Sequence, residues 1–131
     1  MYVRTHRDLI VWLRAMEVAA EVYVLAKRLP ASERNGLASQ MKRAAASFCA
    51  NIAEGAGRYH RGDYLRFITI ARGSQMELDT HLELAVRVGF LGEPDIARAR
   101  GLLDETGKML ARLMRVLAGE RQSVSPRVRS P

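Results

Sequence analysis

Two side chains in the middle of the sequence have the spacing of a metal-binding pair. Glu77 and His81 lie four positions apart, so on a helix they stand one turn apart on the same face. A di-iron centre in a helical bundle needs a Glu-x-x-His pair on each of two helices and two further glutamates. His6 belongs to the N-terminal stretch and His60 to a loop, so no second pair is available. The simpler interpretation is a solvated polar face, and we predict no metal and no other cofactor.

The single cysteine, Cys49, is the other candidate for chemistry. Its neighbours Phe48 and Ile52 are apolar, and no histidine or second cysteine lies near it in the sequence. This setting is typical of a buried small hydrophobe rather than a nucleophile. The glycines at 55 and 57 follow no strand and precede no Gly-Lys-Ser/Thr, so they do not form a P-loop. We therefore predict that the protein is not an enzyme.

A few polar and aromatic residues fall on or beside apolar helical faces. They are Gln40, Asn51 and Glu54, together with Trp12. A buried amide without partners costs about 1–3 kcal/mol. We therefore expect the three polar side chains to hydrogen-bond a neighbouring helix or subunit, with direct ligand contact as the alternative. Trp12 is expected in the core or at an interface rather than as a base-stacking platform.

The basic side chains give the strongest functional indication. The 131 residues include 21 Lys+Arg and 14 Asp+Glu, a formal net charge of +7, and arginine outnumbers lysine eighteen to three. Residues 34–72 hold seven basic and two acidic side chains. Residues 77–105 hold three basic and seven acidic side chains, and residues 106–131 hold six basic and one acidic. Guanidinium groups can bind phosphate in bidentate fashion. This distribution indicates a polyanionic partner that contacts selected parts of the chain.

Four long segments with apolar residues at steps of three and four must position these side chains. They predict helices over about 7–29, 37–54, 63–88 and 94–118, with Gly55 and Gly57 ending the second and Pro94 opening the fourth. Apolar residues cover roughly two-thirds of the circumference of the first helix, so a second buried face is expected there. In the first helix, Leu9, Leu13, Met16, Ala20 and Tyr23 follow these steps, and Trp12, Ala19, Val22, Leu25 and Ala26 add to its apolar surface. The expected core stripes of the other three are Leu37, Met41, Ala44, Phe48 and Ile52; Phe67, Ala71, Ser74, Leu78, Leu82 and Ala85; and Ile96, Ala99, Leu103, Thr106, Leu110, Leu113 and Leu117.

Short connections between four helices predict an all-α, antiparallel up-down-up-down four-helix bundle. One domain over residues 1–119 is expected, followed by a flexible basic tail over 120–131. An apolar content of 48% is too high for a disordered chain. No signal peptide or membrane span is readable, and a lone cysteine fits a reducing compartment, so we expect a cytoplasmic protein without a membrane partner.

Five strings of the sequence resemble, in order and spacing, the bacterial 23S rRNA intervening-sequence proteins. The strings are Arg7-Asp-Leu-Ile-Val-Trp12, Gly36-Leu-Ala-Ser-Gln-Met-Lys-Arg-Ala-Ala45, Asn51-Ile-Ala-Glu-Gly55, Gly73-Ser-Gln-Met-Glu-Leu78 and Leu82-Glu-Leu-Ala85. The resemblance spans roughly residues 7–118, and Asn51-Ile-Ala-Glu-Gly55 is its most specific part. It implies an up-down helix bundle that assembles as a homopentamer and engages nucleic acid through a basic surface. Related proteins include the accessory protein of diversity-generating retroelements, which partners a reverse transcriptase and its RNA.

The chain departs from that family at one point. Phe48-Cys49 stand where members usually carry an apolar residue followed by proline. Without the proline, the second helix is expected to run straight.

Bundle topology would bring the start of helix 1, the helix 2–3 loop and the end of helix 4 to one end. The basic residues expected there define what we call the basic pole: Arg4, Arg7, Arg58, His60, Arg61, Arg66, Arg112, Arg115 and Arg121. We predict a non-enzymatic homo-oligomer that binds RNA or DNA at this pole. Its subunits would meet through the wide apolar face of helix 1, helped by helix 4. The alternative is an adaptor that docks a partner enzyme such as a reverse transcriptase.

Overall fold

Four α-helices make up most of the described chain. The computed structural model describes residues 5–119, the side chain of Asp8 excepted. The helices are α1, Ile10–Lys27; α2, Leu37–Ala56; α3, Arg61–Arg87; and α4, Glu93–Leu117. Two 3-10 turns precede α1 and α2, and residues 5–119 contain no strand. The all-α prediction is confirmed, while the predicted tail over 120–131 lies outside the described residues. No helix within 5–119 has the length and apolar content needed to cross a membrane.

The start of α1 lies three residues beyond the predicted one. The hydroxyl of Thr5 accepts a hydrogen bond from the Arg7 N–H at 3.1 Å, but His6–Asp8 form a 3-10 turn. Leu9 then precedes α1 without any side-chain cap. A threonine that bonds the N–H two residues ahead stabilises a local turn rather than the first turn of an α-helix.

The start of α4 agrees with the prediction to within one residue. Pro94 lies in the first turn, and the Gly92 N–H donates to Asp95 Oδ2 at 2.7 Å. Arg28 pairs with the same carboxylate at 3.0 Å. The hydrogen bond from Gly92, with a smaller contribution from Arg28, lowers the pKa of Asp95 below its ordinary value. This contact therefore fixes the beginning of α4 against the end of α1.

The second helix runs through Cys49 without a break, as predicted, but it does not end at Gly55. Gly57 is the capping residue, and Gly55 is a buried residue within the helix. A Cβ at Gly55 would lie 3.0 Å from the Cβ of Phe67 and 3.1 Å from Cδ1 of Tyr64. Gly55 therefore allows α2 and α3 to approach closely, which a helix-ending glycine would not explain.

The predicted core stripes of α2, α3 and α4 are confirmed with small exceptions. Phe67 is half-buried, and Ile68 beside it is fully buried instead. Leu37, Leu113 and Leu117 pack against the core while remaining partly exposed. The other predicted residues are buried: Met41, Ala44, Phe48, Ile52, Ala71, Ser74, Leu78, Leu82, Ala85, Ile96, Ala99, Leu103, Thr106 and Leu110.

Of the two sets of apolar residues in helix 1, the first set at helical steps is mostly exposed, whereas Val22, Leu25 and Ala26 of the second set are buried. Leu13, Met16 and Tyr23 are 45%, 43% and 44% exposed, and Ala20 is exposed as well, while Leu9 packs partly against the core. The residues that α1 buries are Val11, Ala15, Val18, Val22, Leu25 and Ala26. A helix that is apolar over most of its circumference contains more than one stripe at helical spacing, so periodicity alone could not identify the buried one.

The four helices surround one hydrophobic core. Each helix contacts the next in the chain, and α1 also contacts α4. In the described chain, α1 and α3 have no Cα atoms within 8 Å of each other, and neither have α2 and α4. Polar contacts identify the segments that lie side by side: Cys49 Sγ to Ala15 O at 3.2 Å, Ser47 Oγ to Ser74 Oγ at 2.9 Å, Gln75 Nε2 to Leu103 O at 2.9 Å, and Arg14 Nε to Glu105 Oε2 at 3.2 Å.

Candidate nucleic-acid interface

The centre of the basic pole is built where α2 passes into α3. The guanidinium carbons of Arg58 and Arg66 lie 4.7 Å and 4.4 Å from the centre of the Phe67 ring. Arg58 also forms an ion pair with Glu54, one turn earlier on α2. Two arginines of different elements thus contact the same aromatic ring, an arrangement stabilised by cation–π attraction.

The connection between these helices carries two further predicted residues and one that the prediction missed. His60 is the capping position of α3, Arg61 is its first residue, and both side chains are exposed. Tyr59, which precedes them, is 95% exposed, and its ring meets the His60 ring edge-on at 5.1 Å. An aromatic residue in a loop flanked by arginines was the available signal, and the low aromatic content of the chain obscured it.

The end of α4 lies beside the beginning of α3. Arg115 and Leu65 line the same cavity of about 470 Å³, together with Met114. Arg112, one turn before Arg115, is exposed and has no described ion-pair partner. The structure therefore brings one predicted residue of α4 next to the first turns of α3.

Of the N-terminal arginines of the basic pole, the structure describes Arg7. Arg7 belongs to the first 3-10 turn, which contacts α1 and α2. Its guanidinium carbon lies 5.8 Å from the Trp12 ring, whose edge also meets the His6 ring at 4.8 Å. Trp12 packs partly against the core, as predicted. Arg4 and Arg121 lie outside the described residues.

Ion pairing distinguishes the arginines of residues 77–105 from those of the basic pole. Arg87, Arg98 and Arg100 all pair with carboxylates. Among the described side chains of the basic pole, Arg58 has a carboxylate within 4 Å. Arg7, Arg61, Arg66, Arg112 and Arg115 have no carboxylate partner among the described side chains. The positive charge of the pole is therefore not neutralised within the described chain.

The Asn51-Ile-Ala-Glu-Gly55 string forms part of the contact between α2 and α3. Asn51 Nδ2 donates to the carbonyl and hydroxyl oxygens of Ser47 at 2.8 and 3.0 Å. Ser47 in turn contacts the hydroxyl of Ser74 on α3 at 2.9 Å. Within the described chain, Asn51 therefore bonds its own helix and reaches α3 only through Ser47, and the expected alternative, a bond to a neighbouring subunit, stays a prediction.

Gln40 and Glu54 also bond no neighbouring helix within the described chain, and a bond to a neighbouring subunit stays a prediction for both. The side chain of Gln40 is exposed and has no hydrogen bond within residues 5–119, so it does not lie on the core face. Glu54 bonds Arg58 of the helix 2–3 connection rather than a neighbouring helix.

Two polar side chains of α3 that the sequence analysis missed hold α4. Arg72 Nη1 donates to the carbonyl oxygen of Gly107 at 2.6 Å, and Gln75 Nε2 donates to that of Leu103 at 2.9 Å. A Cβ at Gly107 would lie 2.4 Å from Gln75 Nε2, so the glycine leaves room for the amide. A glycine within the heptad pattern of helix 4 could have indicated this contact in the sequence.

Burial shifts the pKa values of the groups considered for catalysis. Cys49 is 7% exposed, and burial raises the pKa of its thiol to about 11. Burial lowers the pKa of His81, while the charge of Glu77 opposes that shift. Within the described residues, no three His, Cys, Asp or Glu side chains are grouped closely enough to hold a metal ion.

Comparison with known proteins found a matching family model and a similar solved structure. A family model described as "23S rRNA-intervening sequence protein" matches residues 7–112. A crystal structure of a protein of unknown function from the S23 ribosomal protein family of Bacteroides thetaiotaomicron has a TM-score of 0.74 and 24% sequence identity. That similarity covers 80% of this chain and 98% of the other, and it indicates a shared fold. No curated protein matches the chain.

Proposed function

Because this chain belongs to the 23S rRNA-intervening sequence protein family, we propose that it is a non-enzymatic, homo-oligomeric protein that binds nucleic acid, with RNA preferred, through its basic pole. The single cysteine supports a site of action in the reducing cytoplasm. Buried Cys49, with its raised pKa, supports a role without nucleophilic catalysis.

The exposed arginines of the basic pole that have no described carboxylate partner carry the proposal. An ion-paired arginine must give up a favourable contact before it binds a phosphate, whereas an unpaired and exposed one is immediately available. Arg61, Arg112 and Arg115 are exposed and unpaired among the described residues, and Arg66 is stabilised by an aromatic ring without losing its charge. Phosphate binding by several such groups displaces condensed counterions and makes affinity depend on salt.

We infer the up-down-up-down topology from the contact pairs between helices. Residue 15 of α1 lies beside residue 49 of α2, and residue 47 of α2 beside residue 74 of α3. Residue 75 of α3 lies beside residue 103 of α4, and residue 14 of α1 beside residue 105 of α4. Further contacts join residue 23 to 42, 55 to 67, 79 to 100 and 28 to 95. Between each two neighbouring helices the partner's number therefore falls as the residue number rises, as it does in antiparallel neighbours. This topology supports the gathering of the pole residues at one end.

Assembly into a ring is supported by two apolar surfaces on opposite corners of the bundle. The outer face of α1 exposes Ile10, Leu13, Met16, Tyr23 and Val24, and that of α3 exposes Ile70, Met76, Leu84 and the adjoining Val88. Two different surfaces that face away from each other favour head-to-tail contacts, which close into rings. Helix α4 exposes only Val116 among the described large hydrophobic residues, so α3 is the better partner for α1. Five subunits are proposed from the family resemblance.

Native mass spectrometry can test this assembly. The wild type is expected at five times the mass of the 14.7 kDa chain. Leu13→Glu on α1 and Met76→Glu on α3 should each release smaller species, while Val116→Glu on α4 serves as the matched control. If Met76→Glu leaves the assembly intact, the α1–α3 contact is wrong.

A salt titration with matched charge reversals tests nucleic-acid binding. Wild-type affinity for a labelled RNA oligonucleotide, followed by fluorescence anisotropy, is expected to fall steeply between about 50 and 200 mM salt. Replacing Arg61, Arg66 and Arg115 by glutamate should abolish binding. Replacing Lys27, Arg34 and Arg43 by glutamate changes the net charge equally and should have a smaller effect. Binding that is absent for every polynucleotide, or insensitive to salt, would refute the proposal.

A protein adaptor is the second candidate, and the groove between α3 and α4 favours it. Leu65, Ala111 and Met114 give its 470 Å³ cavity an apolar wall, beside the cations Arg72 and Arg115. Such a mixed surface suits a partner enzyme, for instance a reverse transcriptase, with an acidic and apolar segment. A pulldown after nuclease treatment separates the candidates: an adaptor retains its protein partner, whereas a nucleic-acid-binding protein loses what RNA had bridged.

A further inference from the structure

Tyr59 is the most exposed of the described large hydrophobic side chains. Its ring is 95% exposed, compared with 59% for Met76, the next most exposed. Such a ring contributes little to the fold, because burial is what makes an aromatic side chain stabilising. The position therefore needs no aromatic residue for stability.

The other aromatic rings near described cations are already covered. Trp12 has Arg7 above it, Tyr23 has Lys42 at 5.9 Å, and Phe67 has two arginines. Tyr59 has no cation above its ring among the described residues, and its aromatic contact is the edge-on one with His60. Its faces remain open to a flat partner.

The backbone on both sides of Tyr59 is held by hydrogen bonds. The Gly57 N–H donates to the carbonyl oxygen of Ala53 at 3.2 Å, and the Arg58 N–H donates to that of Gly55 at 3.0 Å. On the other side, the His60 carbonyl accepts from the Tyr64 N–H at 3.1 Å. The ring is thus carried by a short connection between two fixed helix ends, which lowers the entropy lost when it binds a ligand.

Cations flank Tyr59 in the sequence. Arg58 precedes Tyr59 directly, and Arg61 follows two positions later without a described carboxylate partner. Arg66 and Arg58 both contact the Phe67 ring. A strand whose phosphates contact these arginines would therefore present its bases next to the Tyr59 ring. Aromatic rings flanked by cations are the usual means of binding single-stranded nucleic acid without reading its sequence.

We infer that Tyr59 stacks on an unpaired nucleobase, so that the basic pole binds single-stranded polynucleotide in preference to duplex. The inference rests on the proposed nucleic-acid binding and adds the class of ligand. Bases within a duplex stack on each other and are not accessible to the ring, whereas the phosphates of both forms can contact the arginines. Selectivity for single strands therefore depends on Tyr59, and the general affinity depends on the arginines.

Fluorescence anisotropy on the full chain tests this with five probes of equal length: single-stranded RNA, single-stranded DNA, each corresponding duplex, and an abasic DNA strand. Tyr59→Ser should weaken single-strand binding by about 5- to 150-fold, the equivalent of one lost base–aromatic stack. Its affinity for the duplexes and the abasic strand should equal that of the wild type. Tyr59→Phe, which keeps the ring, should retain single-strand binding.

A second readout follows the ring itself. In Tyr59→Trp, the added tryptophan fluorescence should be quenched by single strands and not by duplexes or the abasic strand, after subtraction of the Trp12 signal from the wild type. Higher affinity for RNA than for DNA would identify a contact to the 2′-hydroxyl, and equal affinities would identify stacking as sufficient.

Two results overturn the inference, and they are distinguishable. Salt-sensitive single-strand binding that Tyr59→Ser leaves unchanged refutes the stacking role while the proposed function stands. Failure of the wild type to bind any of the probes refutes both.

Discussion

A methyl group added at position 55 would have to fit between two helices. In Gly55→Ala, the new Cβ would lie 3.0 Å from Phe67 Cβ, 3.1 Å from Tyr64 Cδ1 and 3.2 Å from the Tyr64 carbonyl oxygen. Carbon atoms in favourable contact are about 3.5–4.0 Å apart. Two of these three atoms are fixed to the backbone of α3, so a side-chain rotation cannot relieve the overlap and α3 itself must move.

The expected cost follows from two opposing terms. Inserting a methyl group into a packed contact costs about 1–3 kcal/mol. Replacing glycine by alanine inside a helix contributes about 1 kcal/mol in the other direction. The free energy of unfolding of Gly55→Ala is therefore expected to fall by about 0–2 kcal/mol.

Gly101→Ala is the matched control for this change. Gly101 is an exposed residue within α4, and a Cβ there would have no atom within 4 Å. Gly101→Ala should gain only the helix-propensity contribution, about 1 kcal/mol. The free energies of unfolding of the two variants should therefore differ by about 1–3 kcal/mol. Urea denaturation at one fixed subunit concentration, followed by circular dichroism, measures both. If Gly55→Ala gains as much stability as Gly101→Ala, the close approach of α2 and α3 is not what the structure indicates.

Three other consequences concern buried or ion-paired groups. Cys49 should react with iodoacetamide about 100-fold more slowly in the native protein than in urea, because a pKa of about 11 in place of 9.0 reduces its thiolate fraction; equal rates would show an accessible thiol. Burial lowers the pKa of His81 below its ordinary 6.5, so as pH falls through about 6.5 the unfolded chain binds a proton first and the free energy of unfolding should decrease. His81→Gln should reduce that slope in denaturation curves at several pH values, and an unchanged slope would assign it to other groups. Arg100, 31% exposed, contacts three carboxylates, whereas Arg87, 75% exposed, contacts one. Arg100→Ala should therefore lose about 1 kcal/mol and Arg87→Ala less than about 0.5 kcal/mol, and the reverse order in urea denaturation would contradict this.

Most of the fold could be predicted because α2 and α4 each carry a single apolar stripe and α3 carries one at regular steps of three and four. In α4, a strict alternation of steps of three and four from Ile96 to Leu110 leaves one choice of buried face. Helix α1 has two such faces, and only the position of its neighbours selects Val18 and Val22 over Leu13 and Met16. A pattern within one helix contains no information about that choice.

The sequence indicated which arginines belong to the candidate site, but not which of them pair with carboxylates. Arginine positions and helix order indicated that Arg58 and Arg66 belong to one region, and the structure places both on Phe67. Whether each arginine has a carboxylate partner depends on distances across helices, which the sequence does not specify. Gly55 was similarly ambiguous, because a glycine near a helix end is typical both of termination and of close packing.

The division between paired and unpaired arginines also affects how fast a ligand arrives. Where α3 ends and α4 begins, Arg100 is offset by Asp79, Glu83 and Glu93, so that region contributes little positive potential. Where α3 begins and α4 ends, Arg115 and its unpaired neighbours give the molecule a permanent electric dipole. A polyanion approaching from any side would be attracted to that region and would orient the protein before the first contact. Added salt should therefore slow association more than it accelerates dissociation.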